Sequence, residues 1–530
     1  MPNDAPRFWL RRLGRDFALV LLTAGLLLAA SPPRSLWPLG LLGLILLHPL
    51  LADAGPGRAA LLGWAVGFLV NLGGHAWGPA LLERFAGVGR PAAAALAVAF
   101  AAYQALVFLL GATVASLLRR YAGLAWYVAA PLTLALAETA VPMVFPWHLG
   151  VFVWRAWPLL QIAELGGPSA VSALALFVAA LLGEAAAALL ARRPLSRDLG
   201  RAALFGLLVL GLGLGRAYHI ARLRAQAPSL LVAVVQPNVG LLPMQERDRR
   251  GGELITRLRA ATERAIAQGA ELVIWPESAF PYLFDRQLDR EYAPGHPWEL
   301  RTTRRGRLLA GALTHQFGGG TVENSAVLIA ADGRIQGFYA KTELVPFGEF
   351  VPLRQRFPAW AERVRKRLPA SPEIVPGTGP SLLTDDTLRI GPLICVEELL
   401  PEHVLETARL GPNLLVTLAN HAWFGASAAP SQALALSTLA SVATRRDLVR
   451  ATSTGISSFG DALGRVTDTS ASLVSEGTEA TPEVLLHRVA LLETPALAPR
   501  VAWFFPYGCA LALLALGAHA WRRRYSSSRR

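Results

Sequence analysis

The chain has 530 residues, of which 53% are hydrophobic, and its mean hydropathy of +0.39 is high for a soluble protein. Its formal net charge is +14, but the basic residues flank long apolar segments, a placement that argues against a nucleic-acid-binding protein. No Gly-rich phosphate loop follows a strand and no metal-ligand spacing occurs, so the sequence predicts neither a cofactor nor a metal site.

Long apolar runs separated by short loops fill the first part of the chain, and each approaches the roughly 20 residues that cross a bilayer. Together with one run near the C-terminus they predict about eight transmembrane helices: 17–31, 36–53, 58–77, 92–117, 122–143, 168–191, 200–220 and 499–521. The chain therefore divides into a membrane domain (1–228), a globular domain (229–495) and a closing span with a basic tail (496–530).

Arginine placement predicts how these spans are oriented. With the N-terminus inside, the inner segments hold sixteen arginines and the short outer loops hold four, so both termini are expected to be cytoplasmic. The 229–495 domain then faces outward. A basic run within it, at Arg363, Arg365, Lys366 and Arg367, is either a solvated helix face or a contact with anionic lipid headgroups.

The 229–495 region predicts an α/β domain, because strand and helix patterns alternate along it. Buried strands are expected at 230–238 and 270–278, with a helix over "GELITRLRAATERAIAQ" between them. A hairpin that turns at Asp332-Gly333 follows, then strands in "LRIGPLICVEE" and "NLLVTLANHAWFG", a helix near 430–446 and a further hairpin pair. Functional side chains in such sheets gather at the carboxyl ends of strands.

Three residues stand out at the ends of these segments. Cys395 is the only cysteine of the domain, so it forms no internal disulfide, and a buried apolar role is the alternative to catalysis. Lys341 is one of two lysines among 51 basic residues, which indicates a need for a compact ammonium, with chance survival as the alternative. Glu277 ends the strand at 270–278, where capping a following helix is the alternative role.

A thiol, an amine and a carboxylate at neighbouring strand ends together predict acyl transfer. The thiol of Cys395 would attack a carbonyl, the carboxylate of Glu277 would take the thiol proton, and the ammonium of Lys341 would stabilise the oxyanion.

The motifs "WPES", "K…LVPFGEFVP" and "ICVEE", in this order, resemble the Glu-Lys-Cys triad motifs of the nitrilase (carbon–nitrogen hydrolase) superfamily. The segments "GFLVNLGGHAWGPALLERFAGVG" and "LAETAVPMVFPWHLGVFVWRAWPLLQIAELGGPSAVSALALF" resemble membrane segments of the apolipoprotein N-acyltransferases, as does the layout of spans. The resemblance covers nearly the whole chain. It implies a multi-span helical membrane domain and a nitrilase-like four-layer α-β-β-α domain in the periplasm, with the protein in a bacterial inner membrane.

The resemblance implies a role for each matching residue. Glu277 would be the general base, Lys341 the charge stabiliser and Cys395 the nucleophile. Glu349 would be a second acid, with a structural salt bridge as its alternative, and the backbone N–H of Val396 would complete the oxyanion hole. The predicted substrate-binding residues are Trp147, Trp423, Phe424 and Glu397. An interfacial anchor is the alternative role for the first of them.

The implied reaction has two steps and needs neither metal nor cofactor. Cys395 takes an acyl chain from a phospholipid, typically the sn-1 chain of phosphatidylethanolamine, as a thioester. The α-amine of the diacylglyceryl-cysteine of an apolipoprotein then attacks the thioester. The expected partners are thus a phospholipid donor, an apolipoprotein acceptor and the membrane, with no nucleic acid, and a monomer is expected. The alternatives are a membrane-tethered amidase, an N-acyltransferase with another acceptor, or a non-catalytic copy.

The sequence departs from the family pattern at positions near these motifs. Val396 stands where an aromatic residue is usual, His421 replaces the acid of "NDAWFG", and Gln245 lies near the place of an expected tryptophan. The chemical groups are retained while the substrate-facing loops differ, which predicts a changed donor or acceptor preference.

Overall fold

The computed structural model describes residues 5–240, 244–315, 321–366, 373–471 and 480–527, and it divides into two compact units. The helical unit comprises 1–76, 94–218 and 500–530, and the sheet unit comprises 77–93 and 219–499. In chain order the α-helices are α1 (Ala5–Ala30), α2 (Trp37–Leu51), α3 (Pro56–Gly74), α4 (Gly78–Ala86), α5 (Arg90–Gln104), α6 (Leu106–Leu117), α7 (Trp126–Ala140), α8 (Trp157–Leu160), α9 (Ala163–Leu190), α10 (Arg197–Gln226), α11 (Met244–Ala267), α12 (Pro358–Arg365), α13 (Pro401–Arg409), α14 (Ala429–Thr444), α15 (Ala498–Val501) and α16 (Phe505–Ser527).

The strands belong to the sheet unit. They are β1 (Ser229–Gln236), β2 (Leu272–Ile274), β3 (Leu283–Asp285), β4 (Arg307–His315), β5 (Val322–Ile329), β6 (Ile335–Ala340), β7 (Leu383–Thr384), β8 (Arg389–Ile394), β9 (Leu414–Ala419), β10 (Leu448–Thr452), β11 (Ser458–Gly460), β12 (Val466–Thr469) and β13 (Glu483–Ala490). Two short 3-10 turns matter below, at Cys395–Leu399 and His421–Phe424.

Each predicted span coincides with a helix of the helical unit. Among the described residues, five helices are long and apolar enough to cross a bilayer: Leu10–Ala30, Arg90–Ala122, Ala163–Leu190, Arg197–Gln226 and Ala498–His519. The other predicted spans fall on α2, α3 and α7, of 15, 19 and 15 residues. The structure therefore contains several helices that could cross a membrane, whereas the total of eight stays a prediction.

Small residues let the helices of this unit approach closely. Gly63 of α3 lies against α6, and a methyl group there would come within 2.8 Å of the carbonyl oxygen of Phe108. Such glycines are typical of helices that pack in a bilayer, where close backbone contact drives association. The short α2 lies in the same unit and buries one side of its apolar sequence, including Leu44, Leu47 and Leu51.

The sheet unit is built on two facing sheets. The first has the order β13-β1-β2-β4-β5-β6, with β3 paired to β4, and the second has the order β12-β11-β10-β9-β8-β7. Alternation along β1 shows why the sheets pack. Leu230, Val232 and Val234 enter the core between the sheets, while Ala233 and Val235 pack with the residues of α11 on the other face.

Helices cover the outer faces of both sheets. The amphipathic α11 covers the first sheet, and α13 and α14 contact the second sheet through Leu393, Val404 and Ala440. The result is the four-layer α-β-β-α arrangement that the family resemblance implies. The predicted hairpin is confirmed as well, since β5 and β6 are antiparallel on either side of Asp332-Gly333.

One segment behaves differently from the prediction. Residues 78–91 were expected to be an outer loop between two spans, but they contain α4, and residues 77–93 belong to the sheet unit. The reason is a set of aromatic contacts to residues near Trp423, described below, which a short loop of mixed composition does not reveal.

Candidate active site

Cys395 lies where β8 ends, and its backbone is in the left-handed region with φ of 56°. A non-glycine residue pays about 1–3 kcal/mol for such a conformation, which persists only when surrounding structure holds it. The 3-10 turn that begins at this residue supplies that support. The half-buried Cys395 packs against the core between the two sheets, at the carboxyl end of β8.

Lys341 follows directly after β6 and is the centre of a buried charge cluster. Its side chain is 1% exposed, and its Nζ lies 2.8 Å from Oε2 of Glu349 and 3.6 Å from Oε1 of Glu277. Its backbone N–H donates to the carbonyl oxygen of Asn324 at 2.8 Å. The structure thus brings the predicted amine and both predicted acids into one contact network.

Asn324, in β5, joins the two carboxylates and was not singled out from the sequence. Its Nδ2 donates to Oε1 of Glu277 at 2.7 Å and to Oε1 of Glu349 at 3.1 Å. Its Oδ1 is buried without a hydrogen-bond partner among the described residues. The other carboxylate oxygen of Glu277, Oε2, accepts from the backbone N–H of Asn420 at 2.8 Å. Glu277 is therefore held on both oxygens.

The same contacts shift the pKa values of the site. Burial raises the pKa of Glu277, although Lys341 opposes the rise. Burial and the charge of Glu277 raise the pKa of the Cys395 thiol, which Lys341 likewise opposes. For Lys341, burial alone would lower the pKa, but Cys395, Glu277 and Glu349 together raise it. The resting site consequently holds a protonated thiol beside a charged ammonium, so thiol attack requires a base.

Glu397 was predicted to bind substrate, but its side chain is fully buried and its contacts are protein groups. It accepts from the backbone N–H groups of Thr342 and Ile394, both at 2.7 Å, and from the hydroxyl of Tyr339 at 2.8 Å. These bonds tie the residue after Lys341 to the residue before Cys395. We infer that Glu397 positions the amine and the thiol rather than contacting substrate.

A second buried carboxylate supports the same turn. Glu398 forms a paired contact with Arg450 of β10, in which Nη2 lies 2.7 Å from Oε1 and Nε lies 2.8 Å from Oε2. Both side chains are at most 1% exposed. This arginine begins the segment "RATSTG" at 450–455, and nothing in the sequence indicated its partner.

Trp423 and Phe424, predicted to bind substrate, lie in the turn His421–Phe424, which contacts α4 and the preceding residue, Trp77. The rings of Phe85 and Trp423 are 5.1 Å apart, and those of Trp77 and Phe424 are 5.3 Å apart, both edge to face. Arg84 donates to the carbonyl oxygen of Trp423 at 3.3 Å. This helix therefore supports the loop whose aromatic residues were predicted to meet substrate.

The remaining predicted positions divide between the units. Trp147 lies in the helical unit, is 8% exposed, and packs edge to face against His75 with ring centres 5.8 Å apart. Val396 follows Cys395 in its turn. The substrate contact of the first and the oxyanion role of the second stay predictions.

His421 occupies the position where the family pattern has an acid. It is buried, and burial together with nearby Arg450 lowers its pKa to about 3, so the imidazole is neutral in ordinary buffers. The side chain of Gln245 lies outside the described residues. In the part of the chain that the structure describes, no three His, Cys, Asp or Glu side chains form a group that would hold a metal ion.

Comparison with known proteins covers both units. The family model for the carbon-nitrogen hydrolase matches residues 231–493, and the model for the apolipoprotein N-acyltransferase N-terminal domain matches residues 23–181. A protein of Azotobacter vinelandii named apolipoprotein N-acyltransferase is 32% identical over 87% of this chain and 88% of its own length. Relatives of the same name are 29% identical in Geobacter metallireducens, over 96% of both chains, and 30% identical in Pseudomonas putida, over 87% and 89%.

Proposed function

The chain belongs to the apolipoprotein N-acyltransferase family, and from that membership we propose which residues carry the acyl transfer and which lipids take part. It is an N-acyltransferase with a carbon–nitrogen hydrolase domain. The observation that carries the assignment of residues is the buried position of Lys341, in contact with Glu277 and Glu349 and electrostatically coupled to Cys395.

In the first step, we propose, Glu277 takes the proton of the Cys395 thiol while the sulfur attacks the ester carbonyl of a phospholipid. Lys341 and the backbone N–H of Val396 stabilise the oxyanion. When the tetrahedral intermediate collapses, the ester C–O bond breaks and the protonated Glu277 returns its proton to the leaving oxygen. The products are a thioester on Cys395 and a lysophospholipid.

In the second step, the α-amine of a diacylglyceryl-cysteine attacks the thioester. Glu277 removes a proton from the amine, the C–S bond breaks, and the proton returns to the sulfur, which regenerates the thiol and releases an amide. The buried Oδ1 of Asn324, which has no partner among the described residues, is suited to accept a hydrogen bond from that amine. Because a thioester retains the reactivity of the ester, the transfer needs no other energy source.

An amidase would use the same buried groups and release the acyl chain to water. The acyltransferase is favoured because the match at 23–181 is to the N-terminal domain of apolipoprotein N-acyltransferases, which adds a membrane unit to the hydrolase domain. Both substrates of the proposed reaction are anchored in lipid, so a catalytic domain tethered to a membrane brings them to one surface.

We further propose the topology. Eight spans anchor the chain in a bacterial inner membrane, with both termini in the cytoplasm and residues 229–495 in the periplasm. The surplus of arginines on the inner segments supports this orientation. The working form is a monomer of three regions, 1–228, 229–495 and 496–530.

The thioester step is tested by the intact mass of the purified full chain after incubation with phospholipid. We expect a hydroxylamine-labile acyl adduct on the wild type, no adduct on Cys395→Ala, and a wild-type adduct on Cys509→Ala, the matched control. Addition of a diacylglyceryl-cysteine peptide should discharge the adduct into an amide. An adduct that only water discharges would favour the amidase, and loss of the adduct in Cys509→Ala would overturn the choice of nucleophile.

A further inference from the structure

The sheet unit carries an exposed basic segment at residues 353–366, which includes α12 and which we name the basic loop. Its charged residues are Arg354, Arg356, Arg363, Arg365, Lys366 and one acid, Glu362. That acid is shared, since it lies 3.5 Å from Arg365 and 4.0 Å from Lys366, whose side chains remain 61% and 74% exposed. Outside the loop, Glu373 pairs with Arg354. The loop therefore presents a surplus of positive charge that is carried by Arg356, Arg363, Arg365 and Lys366.

Large apolar side chains lie among these cations. Leu353, Phe357 and Trp360 are 63%, 50% and 39% exposed, although apolar surface of this size is normally buried. Leu353 and Phe357 precede α12, and Trp360 lies within it. Cationic, aromatic and aliphatic side chains that alternate along one exposed segment are typical of a membrane surface, where the apolar groups enter the headgroup region.

The backbone holds some of the apolar groups outward at a cost in energy. Leu353 has φ of 56°, and the nearby Phe347, which is 38% exposed, has φ of 66°. Bulky residues avoid this left-handed region, where glycine or asparagine would be unstrained. Two strained, exposed and apolar positions within seven residues indicate that these side chains have a binding partner.

The basic loop lies next to the catalytic segment. A cavity of about 460 Å³ is lined on one side by Thr342 and Leu344, which follow Lys341, and on another by Leu353 and Arg354 of the loop. A lipid held by the loop is thus close to the residues that carry the amine. Within the sheet unit, the loop proposed to recognise lipid and the segment that follows the catalytic amine line the same cavity.

We propose that the basic loop docks on a bilayer surface through anionic phospholipid headgroups and thereby makes anionic phospholipids the preferred acyl donors. The proposal rests on the proposed function, since it names the donor class of the same reaction. The loop cations attract the headgroup phosphates of an anionic surface, and Leu353, Phe357 and Trp360 insert between the headgroups. A zwitterionic surface offers the same apolar region without the net charge.

The kinetic test measures the initial rate of acyl-enzyme formation by intact mass for the full chain in nanodiscs. One set of nanodiscs contains phosphatidylglycerol and another contains only phosphatidylethanolamine, with identical acyl chains. We expect the wild type to be acylated at least about tenfold faster from phosphatidylglycerol at low salt, and the ratio to fall as salt screens the charges. A ratio near one in the wild type would overturn the proposal.

Charge-neutral variants locate the effect on the loop. Replacing Arg363→Gln, Arg365→Gln and Lys366→Gln together should bring the ratio of the two rates to about one. The matched control replaces three exposed arginines elsewhere in the sheet unit, Arg290→Gln, Arg305→Gln and Arg334→Gln, and should keep the wild-type ratio. The same loss of preference in both variants would show that overall charge, not the loop, selects the donor, and would overturn the proposal.

A second readout does not depend on catalysis. Trp360→Cys in a chain with Cys395→Ala and Cys509→Ala gives a single thiol for an environment-sensitive fluorophore. Doxyl lipids should quench this fluorophore in nanodiscs with phosphatidylglycerol and much less in phosphatidylethanolamine alone. If no lipid formed an acyl-enzyme, the proposed function would be contradicted, but the quenching result would still support docking of the loop on anionic lipid. Equal quenching in both lipids, or a response only to an acidic lipoprotein peptide, would overturn the docking proposal itself.

Discussion

Lys341 is the most constrained group of the site, because it is almost fully buried between two carboxylates and keeps its charge there. A planar guanidinium is larger than an ammonium and presents its donors in a fixed fork, so it cannot reproduce the contacts at 2.8 Å and 3.6 Å from Nζ. The scarcity of lysine in an arginine-rich chain agrees with this geometry, since a substitution that is harmless on the surface is harmful here.

We predict that Lys341→Arg loses acyl-enzyme formation by about 100-fold or more, the usual cost of removing an oxyanion donor. Lys366→Arg is the matched control, because the side chain of Lys366 is 74% exposed and either cation serves there. The measurement is the rate of acylation by intact mass in the two variants. Turnover close to the wild type in Lys341→Arg would refute the role of a compact charge.

The raised pKa of Glu277 predicts how the acylation rate depends on pH in the acid range. Glu277 accepts the thiol proton only when ionised, so the acylation rate should fall as pH falls through a midpoint above the ordinary value of 4.5. The negative charge of Glu349 contributes to the rise in the pKa of Glu277. Glu349→Gln should therefore lower that pKa and move the midpoint to lower pH, in addition to slowing the reaction.

The pH dependence is measured as the acylation rate of the wild type and of Glu349→Gln across the acid range. Because the comparison uses the midpoint and not the maximal rate, a general loss of activity does not mimic the result. A midpoint that stays in place, or moves to higher pH, would show that the two carboxylates do not interact as the structure indicates.

At the scale of elements, the site is assembled by contacts between segments that are remote in sequence. The helix α4 supports the turn that carries Trp423, and its Phe85 also lies against Gly348, the residue before Glu349. A methyl group at Gly348 would overlap the Phe85 ring. The helix is therefore packed against two of the loops that frame the buried charges.

This packing predicts a coupled pair of substitutions. Gly348→Ala should lower the acylation rate about tenfold or more, because either the ring or the backbone beside Glu349 has to move. Phe85→Ala in the same chain should restore much of the loss, since it removes the overlapping ring. The acylation rates of both single variants and of the double variant form the measurement. Equal damage by Gly348→Ala in both backgrounds would show that the helix does not position Glu349.

The sequence singles out residues of a type that is scarce in this chain. It does not reveal residues whose role depends on contacts with other side chains. Cys395 and Lys341 were visible because few residues of their type exist, and Glu277 because it ends a buried strand. Asn324 was not visible, since one polar residue in a hairpin has no pattern of its own. The strained φ of Cys395 was also hidden, because residue type does not predict a left-handed backbone at cysteine.

At the scale of the molecule, the family resemblance implied the four layers of the sheet unit, while the boundary of that unit was not predicted. Alternating strand and helix patterns predicted an α/β domain, and the four layers result from burying both faces of each sheet. The boundary is set by contacts with residues more than three hundred positions later. The indole of Trp77, just before α4, donates to Oε1 of Gln432 at 2.9 Å, and Phe85 of α4 packs against Trp423. No local pattern carries that information.

The place of α4 in the chain has a consequence for biogenesis. Trp77 and Gln432 are 355 positions apart, and translation at about 5–20 residues per second separates their synthesis by roughly 20–70 s. The helix is made before any strand of its own unit, and strands β1 to β9 are synthesised during that interval, before Gln432. The sheet unit is thus completed late in synthesis. A fragment beginning at 219 would lack α4, the helix against which the turn His421–Phe424 packs.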